Sequence, residues 1–346
     1  MTAAVLTGHG GPEVLEIRDD VAVPEPAPGQ VLVQVAAAGV NNTDIWTREG
    51  AYGNAVDPLA VAGWRGVPLT FPRIQGGDIA GCIVEIGQGV DAGRVGQRVV
   101  VDPALYDRGD DHANPVELVG SERDGGFADF VVVDAAQAHA VDDSPLSDEQ
   151  LACLPIAYGT AMGMLERAAL ASDERVLVTG ASGGVGLALV ELAAARGATV
   201  IALTSEGKEQ AVHEAGAAQV VLRSEPDVTA AIRQAAGGPV DAIADVVGGE
   251  GFSMTFALLR EGGRLVIAGA VAGAVVTFDL RVLYLHQRRL IGSSMHTRAH
   301  FRHLVDLAQR GAVSPHIADR YPLTAIHQAQ RDFANKRYVG KLVLRP

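Results

Sequence analysis

A strand, a glycine-rich turn, a helix and a second strand follow one another in VLVTGASGGVGLALVELAAARGATVIALTS (176–205). Short apolar strands then keep alternating with helical stretches, in QVVLR (219–223), VDAIADVV (240–247), RLVIAGA (264–270) and RRLIGSSM (288–295). Together these segments make six candidate strands. This alternation predicts a parallel sheet flanked by helices, and six strands are the complement of a doubly wound Rossmann sheet.

The turn in the first of these segments is suited to hold a dinucleotide. Gly183 is expected to allow the tight turn, Gly184 to let a pyrophosphate approach the backbone, and Gly186 to let the helix pack closely on the strand. The helix offers free N–H groups and its positive dipole end to phosphates. A glycine-rich turn without a ligand is the alternative, but the six alternating strands around it favour nucleotide binding.

The end of the second strand of that segment bears on which nucleotide is bound. NAD sites usually carry an acid there, which accepts hydrogen bonds from the ribose 2′-OH. This chain has Thr204 and Ser205 instead. Lys208 follows one helical turn later, and Arg223 lies near the end of the third strand. Since hydroxyls and cations suit a 2′-phosphate, the sequence predicts NADPH in preference to NADH, although an inward-pointing Glu206 would oppose it.

The first 145 residues or so show a different pattern. Short alternating runs such as VLVQVAAA, GCIVEIG and FADFVVVD are separated by Gly, Pro and Asp, which is typical of a compact, barrel-like β domain. A chain of 346 residues also exceeds the usual size of a single core. Extended pieces return at the end of the chain. We therefore predict an α/β protein with a barrel-like β domain at 1–148, completed by 299–346, and a Rossmann domain at 149–298.

Composition excludes several classes of function. The formal net charge of −13 gives no basic footprint for nucleic acid or for an anionic membrane, although it is compatible with a local basic pocket. Cys82 and Cys153 are the only cysteines, too few for a disulfide framework. The N-terminal residues lack the pattern of a secretory signal, and no apolar run reaches the roughly 18 residues of a membrane span. A cytoplasmic protein is expected.

In addition, the chain resembles the medium-chain dehydrogenase/reductase superfamily, and specifically its zinc-independent quinone oxidoreductase branch. The resemblance covers nearly all of the sequence, through VLVQVAAAGVN, GGDIAG, GGFADFVVV, LPIAYGTA, GASGGVG, VIAGA, LIGSSM and GKLVL in family order. It implies a GroES-like substrate domain, a Rossmann domain that binds NADP(H), and a cleft between them for the nicotinamide. It also implies a homodimer through the Rossmann sheet edges, formed by the segment 275–294.

No metal site is predicted. Zinc-dependent relatives place a cysteine ligand where this chain has Asn41, and a His-Glu pair where it has Gly77-Asp78. Neither Asn41 nor Gly77 supplies the thiolate or imidazole that zinc requires. The four cysteines of the family's structural zinc lobe are missing as well. His112 is a lone histidine in an acidic run, which is more typical of a solvated surface than of a metal site. The string HTRAHFRH, with His296, His300 and His303, has Thr297 in place of the glutamate of a zincin helix.

An enzyme without zinc has no Lewis acid to polarise a carbonyl, so quinones and α,β-unsaturated carbonyls are the expected substrates. The resemblance places Asn41 and Tyr52 at the nicotinamide, Asn41 as an amide donor and Tyr52 as a phenol that donates or relays a proton. The competing interpretation of the cluster at 41–44 is an ordinary turn that ends a strand. Trp46 and Trp64 are expected to line the substrate pocket, Trp64 from a long loop at 53–77.

The resemblance adds contacts with the cofactor beyond the 2′-phosphate group. Thr160, the strand end at Ala268 and the terminal Lys341 match positions near the nicotinamide or able to reach the cofactor. The other expected contacts are Asn41, Ser182, Gly183, Gly184, Val185, Val247, Gly269, Ala270, Ser294 and Met295. Two alternatives stay open, a zinc-free alcohol or carbonyl dehydrogenase and a cofactor-binding protein with little catalysis.

Overall fold

The computed structural model describes residues 1–53, 56–57 and 59–346, which divide into two compact units. Unit 1 comprises Met1–Ile156 and Thr297–Pro346, and unit 2 comprises Ala157–His296. The predicted first boundary lay earlier, between residues 148 and 149. Residues up to Ile156 fall in unit 1 because the Ile156 N–H donates to the Asp78 carboxylate, and because the helix at 148–151 packs on two strands of unit 1.

The first part of unit 1 is mostly β structure. Its strands are β1 (Ala3–Leu6), β2 (Leu15–Arg18), β3 (Gln30–Gly39), β4 (Arg73–Ile74), β5 (Asp78–Ile86), β6 (Arg98–Val101), β7 (Ala104–Tyr106), β8 (Pro115–Leu118), β9 (Phe130–Asp134) and β10 (Ala138–Ala140). Its helices are α1 (Asn42–Glu49) and α2 (Asp148–Leu151).

Unit 2 alternates helices and strands as the sequence predicts. Its elements in chain order are α3 (Gly159–Arg167), β11 (Arg175–Val178), α4 (Gly184–Ala195), β12 (Thr199–Thr204), α5 (Glu209–Glu214), β13 (Gln219–Leu222), α6 (Val228–Ala236), β14 (Val240–Asp245), α7 (Phe252–Phe256), β15 (Leu259–Ile267), α8 (Arg281–Tyr284) and β16 (Arg289–Gly292). The chain then returns to unit 1 with α9 (Arg298–Gln309), β17 (Ile317–Pro322), α10 (Ile326–Asn335) and β18 (Lys341–Arg345).

The sheet of unit 1 is organised around β3. A seven-stranded sheet has the order β10-β6-β5-β3-β18-β17, and β9 also pairs with β3. Gly39 at the end of β3 lies opposite Asp78 of β5 on one side and Val343 of β18 on the other. The C-terminal strand is therefore built into the middle of this unit, beside the residues that follow β3. The expected return of the chain end to the first domain is confirmed.

The sheet of unit 2 has six strands in the order β13-β12-β11-β14-β15-β16. Every neighbouring pair is parallel. The six predicted strands are confirmed, with β15 beginning earlier than expected, at Leu259. The strand order reverses between β11 and β14, and ligands of such sheets bind outside the carboxyl ends of the strands at that point.

A search of the helices in the described part of the chain finds none that combines the length and the apolar character needed to cross a membrane.

Candidate functional site

Residues predicted to contact a cofactor follow the carboxyl ends of the parallel strands in unit 2. The glycine-rich turn follows β11, Ser205 follows β12, Val247 follows β14 and Ala268 follows β15. Since all six strands are parallel, these ends lie at one edge of the sheet. Arg223 and Ser294 come after β13 and β16 at the same edge. The fold therefore collects predicted contacts that are dispersed over more than a hundred residues of sequence.

The glycine-rich turn differs in one detail from the prediction. Gly180 has a positive φ of 58° and makes the tight turn. Gly183, which was expected to make it, has a φ of −79° and is the N-cap of α4. That helix end carries no side-chain cap, so its first N–H groups are available for an anion. A Cβ on Gly186 would lie 2.1 Å from the Gly180 carbonyl oxygen, which confirms close packing of helix on turn.

The group expected at the 2′-phosphate combines a buried hydroxyl with two cations. Thr204 is buried, and its Oγ1 has no hydrogen-bond partner in the structure. Burial, and then the nearby charge of Arg223, lower the pKa of Lys208. The Glu206 carboxylate is exposed and accepts a hydrogen bond of 2.7 Å from Ser224 Oγ. The buried Thr204 hydroxyl has no hydrogen-bond partner among the described residues, and the Lys208 and Arg223 charges repel each other. Both features are typical of a site that binds an anion.

Thr160 and Met295, two further predicted cofactor contacts, lie together in unit 2. Thr160 Oγ1 is 3.8 Å from Met295 Sδ, and both residues are buried. Met295 has a positive φ of 53°, which is uncommon for a non-glycine residue and is often found at functional sites. Arg167 holds this backbone by donating to the Met295 carbonyl oxygen at 2.9 Å. Ser294, the residue before it, is exposed.

Asp245 is a site residue that the sequence analysis missed. It ends β14 and is buried, and its Oδ1 accepts hydrogen bonds from Thr179 Oγ1 at 2.6 Å and from the Val247 N–H at 2.9 Å. The Gly248 N–H lies 3.3 Å from both carboxylate oxygens. Asp245 thus ties the start of the glycine-rich turn to the loop after β14. The signal available in the sequence was the position of Asp245, an acidic residue at the end of a largely apolar strand.

In unit 1, Asn41 lies at the start of α1, directly after β3. Its backbone N–H donates to Asp44 Oδ2 at 2.7 Å, which caps the helix. The cluster that was expected to cap a turn therefore begins a helix. Burial raises the pKa of Asp44 to about 7, and the charge of Asp78 adds to this, while the Asn41 N–H and Lys341 oppose it. Gln75 Nε2 donates to the Asp44 carbonyl oxygen at 2.9 Å.

The side chain of Asn41 is engaged inside unit 1. Its Nδ2 donates to Asp78 Oδ2 at 2.8 Å and lies 3.4 Å from the Gly39 carbonyl oxygen. Its Oδ1 accepts from Lys341 Nζ at 2.5 Å. Lys341 Nζ also donates to Val40 O at 2.9 Å and to Asp78 Oδ2 at 2.7 Å. All three ammonium protons are used within unit 1, so the contact of Lys341 with the cofactor stays a prediction.

The aromatic residues assigned to catalysis and to the substrate pocket form two separate contacts in the described structure. The rings of Trp46 and Tyr52 meet edge to face with centroids 5.5 Å apart. Burial raises the pKa of Tyr52 above its usual range, opposed by a hydrogen bond with the Thr43 side chain. Trp64 is half-buried beneath the Arg65 guanidinium. Residues 54, 55 and 58 of the predicted loop at 53–77 lie outside the described residues.

The residues around Asn41 do not fit a zinc ion. An ammonium group occupies the space between the Asn41, Val40 and Asp78 oxygens. A Cβ on Gly77 would lie 3.0 Å from the Val119 carbonyl oxygen and 3.2 Å from Ile156 Cδ1, so any side chain there would be tightly packed. Asn41 and Gly77 supply neither a thiolate nor an imidazole, and the Asp78 carboxylate is paired with Lys341. Among the residues that the structure describes, no three His, Cys, Asp or Glu side chains group as metal ligands.

Two family models match the chain. The model described as the alcohol dehydrogenase GroES-like domain matches residues 27–143, most of the first part of unit 1. The model described as zinc-binding dehydrogenase matches residues 184–310, from α4 of unit 2 through α9 of unit 1.

Known proteins are similar over the whole length. A quinone oxidoreductase of Mus musculus is 32% identical over 99% of this chain and 97% of its own. A solved structure of a putative alcohol dehydrogenase from Sinorhizobium meliloti 1021 is 50% identical, with a TM-score of 0.97 over 100% of this chain and 96% of that one. A crotonyl-CoA carboxylase/reductase, AntE, solved in complex with NADP, is 25% identical, with a TM-score of 0.85 over 100% and 94%.

Proposed function

Because the chain belongs to the medium-chain dehydrogenase/reductase superfamily, we propose that it is an NADPH-dependent reductase of a quinone or an α,β-unsaturated carbonyl and works without zinc. The observation that carries the proposal is the ammonium of Lys341 among the oxygens of Asn41, Val40 and Asp78, next to Gly77, which has no side chain to bind a metal. Conjugated acceptors take a hydride without a Lewis acid, because the charge spreads over the conjugated system.

Unit 2 supplies a fitting cofactor site. The uncapped N-terminus of α4 suits the pyrophosphate, and Thr204, Lys208 and Arg223 suit a 2′-phosphate. NADPH bound there would supply the hydride. Two similar proteins support this chemistry, since one is a quinone oxidoreductase and the other a crotonyl-CoA carboxylase/reductase solved in complex with NADP.

Unit 1 supplies the groups that would act on the substrate. The Asn41 amide would donate a hydrogen bond to the substrate oxygen on which negative charge develops. One well-placed donor of this kind lowers a barrier by about 3 kcal/mol. Tyr52 would stay protonated at neutral pH, since burial raises its pKa, and its phenol would donate a hydrogen bond or relay a proton. Trp46, in contact with Tyr52, offers a flat apolar surface for a ring.

A zinc-free alcohol or carbonyl dehydrogenase is the second candidate. It is favoured by the 50% identity to a protein described as a putative alcohol dehydrogenase. Such a reaction needs an electrophilic group or a proton relay that polarises a simple carbonyl, and the residues assigned to catalysis supply an amide, Asn41, and a phenol, Tyr52.

The test is to follow NADPH absorbance with three acceptors, a quinone, an enone and a simple ketone. We expect oxidation with the quinone or the enone and not with the ketone. Oxidation with the ketone alone would favour the second candidate. Tight NADPH binding without oxidation by any of the three would indicate a cofactor-binding protein instead. Activity that persists after dialysis against a chelator would support the zinc-free mechanism.

A further inference from the structure

A buried ion pair lies next to Asn41. Lys341 and Asp78 are 4% and 0% exposed, and Lys341 Nζ is 2.7 Å from Asp78 Oδ2. The second Asp78 oxygen accepts from the Ile156 N–H at 2.7 Å, so the carboxylate is held from two sides. Both charges are paired and hydrogen-bonded, as burial requires.

Three neighbouring strands bring this pair to Asn41. Gly39, two residues before Asn41, lies opposite Asp78 of β5 and opposite Val343 of β18. Lys341 begins β18, two residues before Val343. The close approach depends on glycine, because a Cβ on Gly39 would lie 2.5 Å from Asp78 Oδ2 and 2.7 Å from the Ala152 carbonyl oxygen.

The pair leaves the Asn41 amide only one orientation. An ammonium only donates and an ionised carboxylate only accepts. The atom that faces Lys341 must therefore be Oδ1, and the atom that faces Asp78 must be Nδ2. Each charge alone favours this orientation and the two together enforce it, whereas without both charges the amide could turn over, since its two ends are nearly equal in shape.

Of the two Nδ2 protons, one is held weakly enough for a substrate oxygen to take it over. The first is committed to Asp78 at 2.8 Å, whereas the second has only the Gly39 carbonyl oxygen at 3.4 Å, a long contact. In the reversed orientation the amide would present an oxygen acceptor in place of this donor.

We propose that Lys341 and Asp78 are positioning residues for Asn41, which lock its carboxamide so that an N–H, and not an oxygen, is offered to the substrate oxygen. This role rests on the proposed function. It differs from the role that sequence resemblance assigns to Lys341, which is a contact with the cofactor.

Replacing Lys341 alone is a poor test, because Lys341→Met leaves the Asp78 charge buried without a partner and destabilises the fold. The double replacement Asp78→Asn with Lys341→Met removes both charges. The oxygen of the new amide at position 78 can keep the hydrogen bond from the Ile156 N–H, and its NH2 group then faces Asn41. Two NH2 groups cannot bond to each other, so the double variant favours the reversed Asn41 amide.

The experiment measures thermal unfolding, the NADPH dissociation constant, kcat and KM for the wild type, Lys341→Met and the double variant, with the quinone or enone that the wild type reduces. We expect the double variant to recover most of the melting temperature that Lys341→Met loses. Its kcat should stay at least tenfold below that of the wild type, with NADPH binding within about twofold. Glu174→Gln is the control, because it weakens the buried Arg264 pair of unit 2 and should lower stability without changing kcat.

A second comparison asks whether the pair acts through Asn41. In an Asn41→Ala background the double replacement should lower kcat no further, because there is no amide left to orient. A double variant that folds and turns over at the wild-type rate would overturn the positioning role. The role would also be overturned if the double replacement lowered kcat by the same factor in the Asn41→Ala background as in the wild type. A wild type that oxidises NADPH with none of the acceptors would remove the proposed function, and this role with it.

Discussion

At the scale of the residue, the proposed preference for NADPH depends on Thr204, Lys208 and Arg223. Thr204 Oγ1 is buried without a partner, and the charge of Arg223 contributes to lowering the pKa of Lys208. An anion placed among them would satisfy the hydroxyl and relieve the repulsion between the cations. This is a structural argument for a 2′-phosphate that the sequence alone could make only from residue types.

Lys208→Ala should weaken NADPH binding much more than NADH binding. A charged hydrogen bond contributes about 1.5–3 kcal/mol, so the NADPH dissociation constant should rise about tenfold to a hundredfold, and that of NADH less than about twofold. Titration of nucleotide fluorescence measures both. Arg233→Ala, which removes an exposed cation on α6, is the control and should change neither. Equal losses for the two nucleotides would show that Lys208 does not touch the 2′-phosphate.

The raised pKa of Asp44 predicts an unusual pH dependence of the free energy of unfolding. Its folded pKa is raised to about 7, mainly by burial, whereas in the unfolded chain the carboxyl titrates near its ordinary value. Between about pH 4 and pH 7 the folded state therefore binds one proton more than the unfolded state. The stabilisation from this proton is full below about pH 4 and is lost as the pH rises through about 7.

Asp44→Asn should remove this dependence. Relative to the variant, the wild type should lose on the order of 3 kcal/mol in free energy of unfolding between pH 5 and pH 8. Urea titrations at several pH values measure it, with exposed Asp143→Asn as the control that keeps the wild-type slope. Parallel curves for the wild type and Asp44→Asn would show that the Asp44 carboxyl titrates normally.

At the scale of the element, the junction of β11 and α4 depends on different glycines for different reasons. Gly180 needs its positive φ, and Gly186 needs the absence of a Cβ. A sequence motif marks the glycines of such a turn but does not distinguish these two needs, because φ depends on how the turn meets the helix. The prediction therefore assigned the tight turn to Gly183, although Gly180 makes it.

Gly186→Ala should destabilise unit 2. The new Cβ would lie 2.1 Å from the Gly180 carbonyl oxygen and 2.8 Å from Ala181 Cα, both backbone atoms that cannot turn aside. Overpacking of this kind costs about 1–3 kcal/mol. Gly183→Ala is the matched control, since its Cβ would meet only the Gly180 carbonyl oxygen at 3.5 Å. Thermal unfolding should separate the two variants, and equal melting temperatures would contradict the packing argument.

At the scale of the molecule, unit 2 ends in a sheet edge with exposed apolar neighbours. β16 is the last strand in the order of its sheet. Val275, Leu280 and Leu285 are 85%, 65% and 61% exposed, and Leu290 of β16 is 45% exposed. Apolar side chains beside an open strand edge are typical of a surface that pairs with another chain. The predicted segment 275–294 contains all of them.

We expect a homodimer through this edge. Sedimentation velocity at micromolar concentration should give twice the mass of the 35.9 kDa chain. Leu290→Lys should shift the population to monomer, because a charge would be buried at the pairing edge. Val95→Lys is the control, since it adds the same charge at a 51% exposed valine of unit 1. A wild-type monomer at these concentrations would contradict the expectation.

The sequence by itself determined the two-domain organisation, the six strands, the glycine-rich turn and the absence of thiolate and imidazole at positions 41 and 77. These features depend on local patterns, since hydrophobic periodicity, turn glycines and residue type act within a few positions along the chain. The family models, which match a GroES-like domain and a dehydrogenase domain, agree with that organisation.

Only the tertiary structure decided what Asn41, Asp78 and Lys341 do together. Lys341 and Asn41 are 300 positions apart and meet because β18 and β5 flank the end of β3 in one register. Asp245 likewise reaches Thr179 across 66 positions. Strand register is set by the packing of whole sheets, so a periodic pattern cannot specify which polar side chains meet at a strand end. For that reason the buried ion pair that Lys341 forms with Asp78 beside Asn41 was not predicted from the sequence.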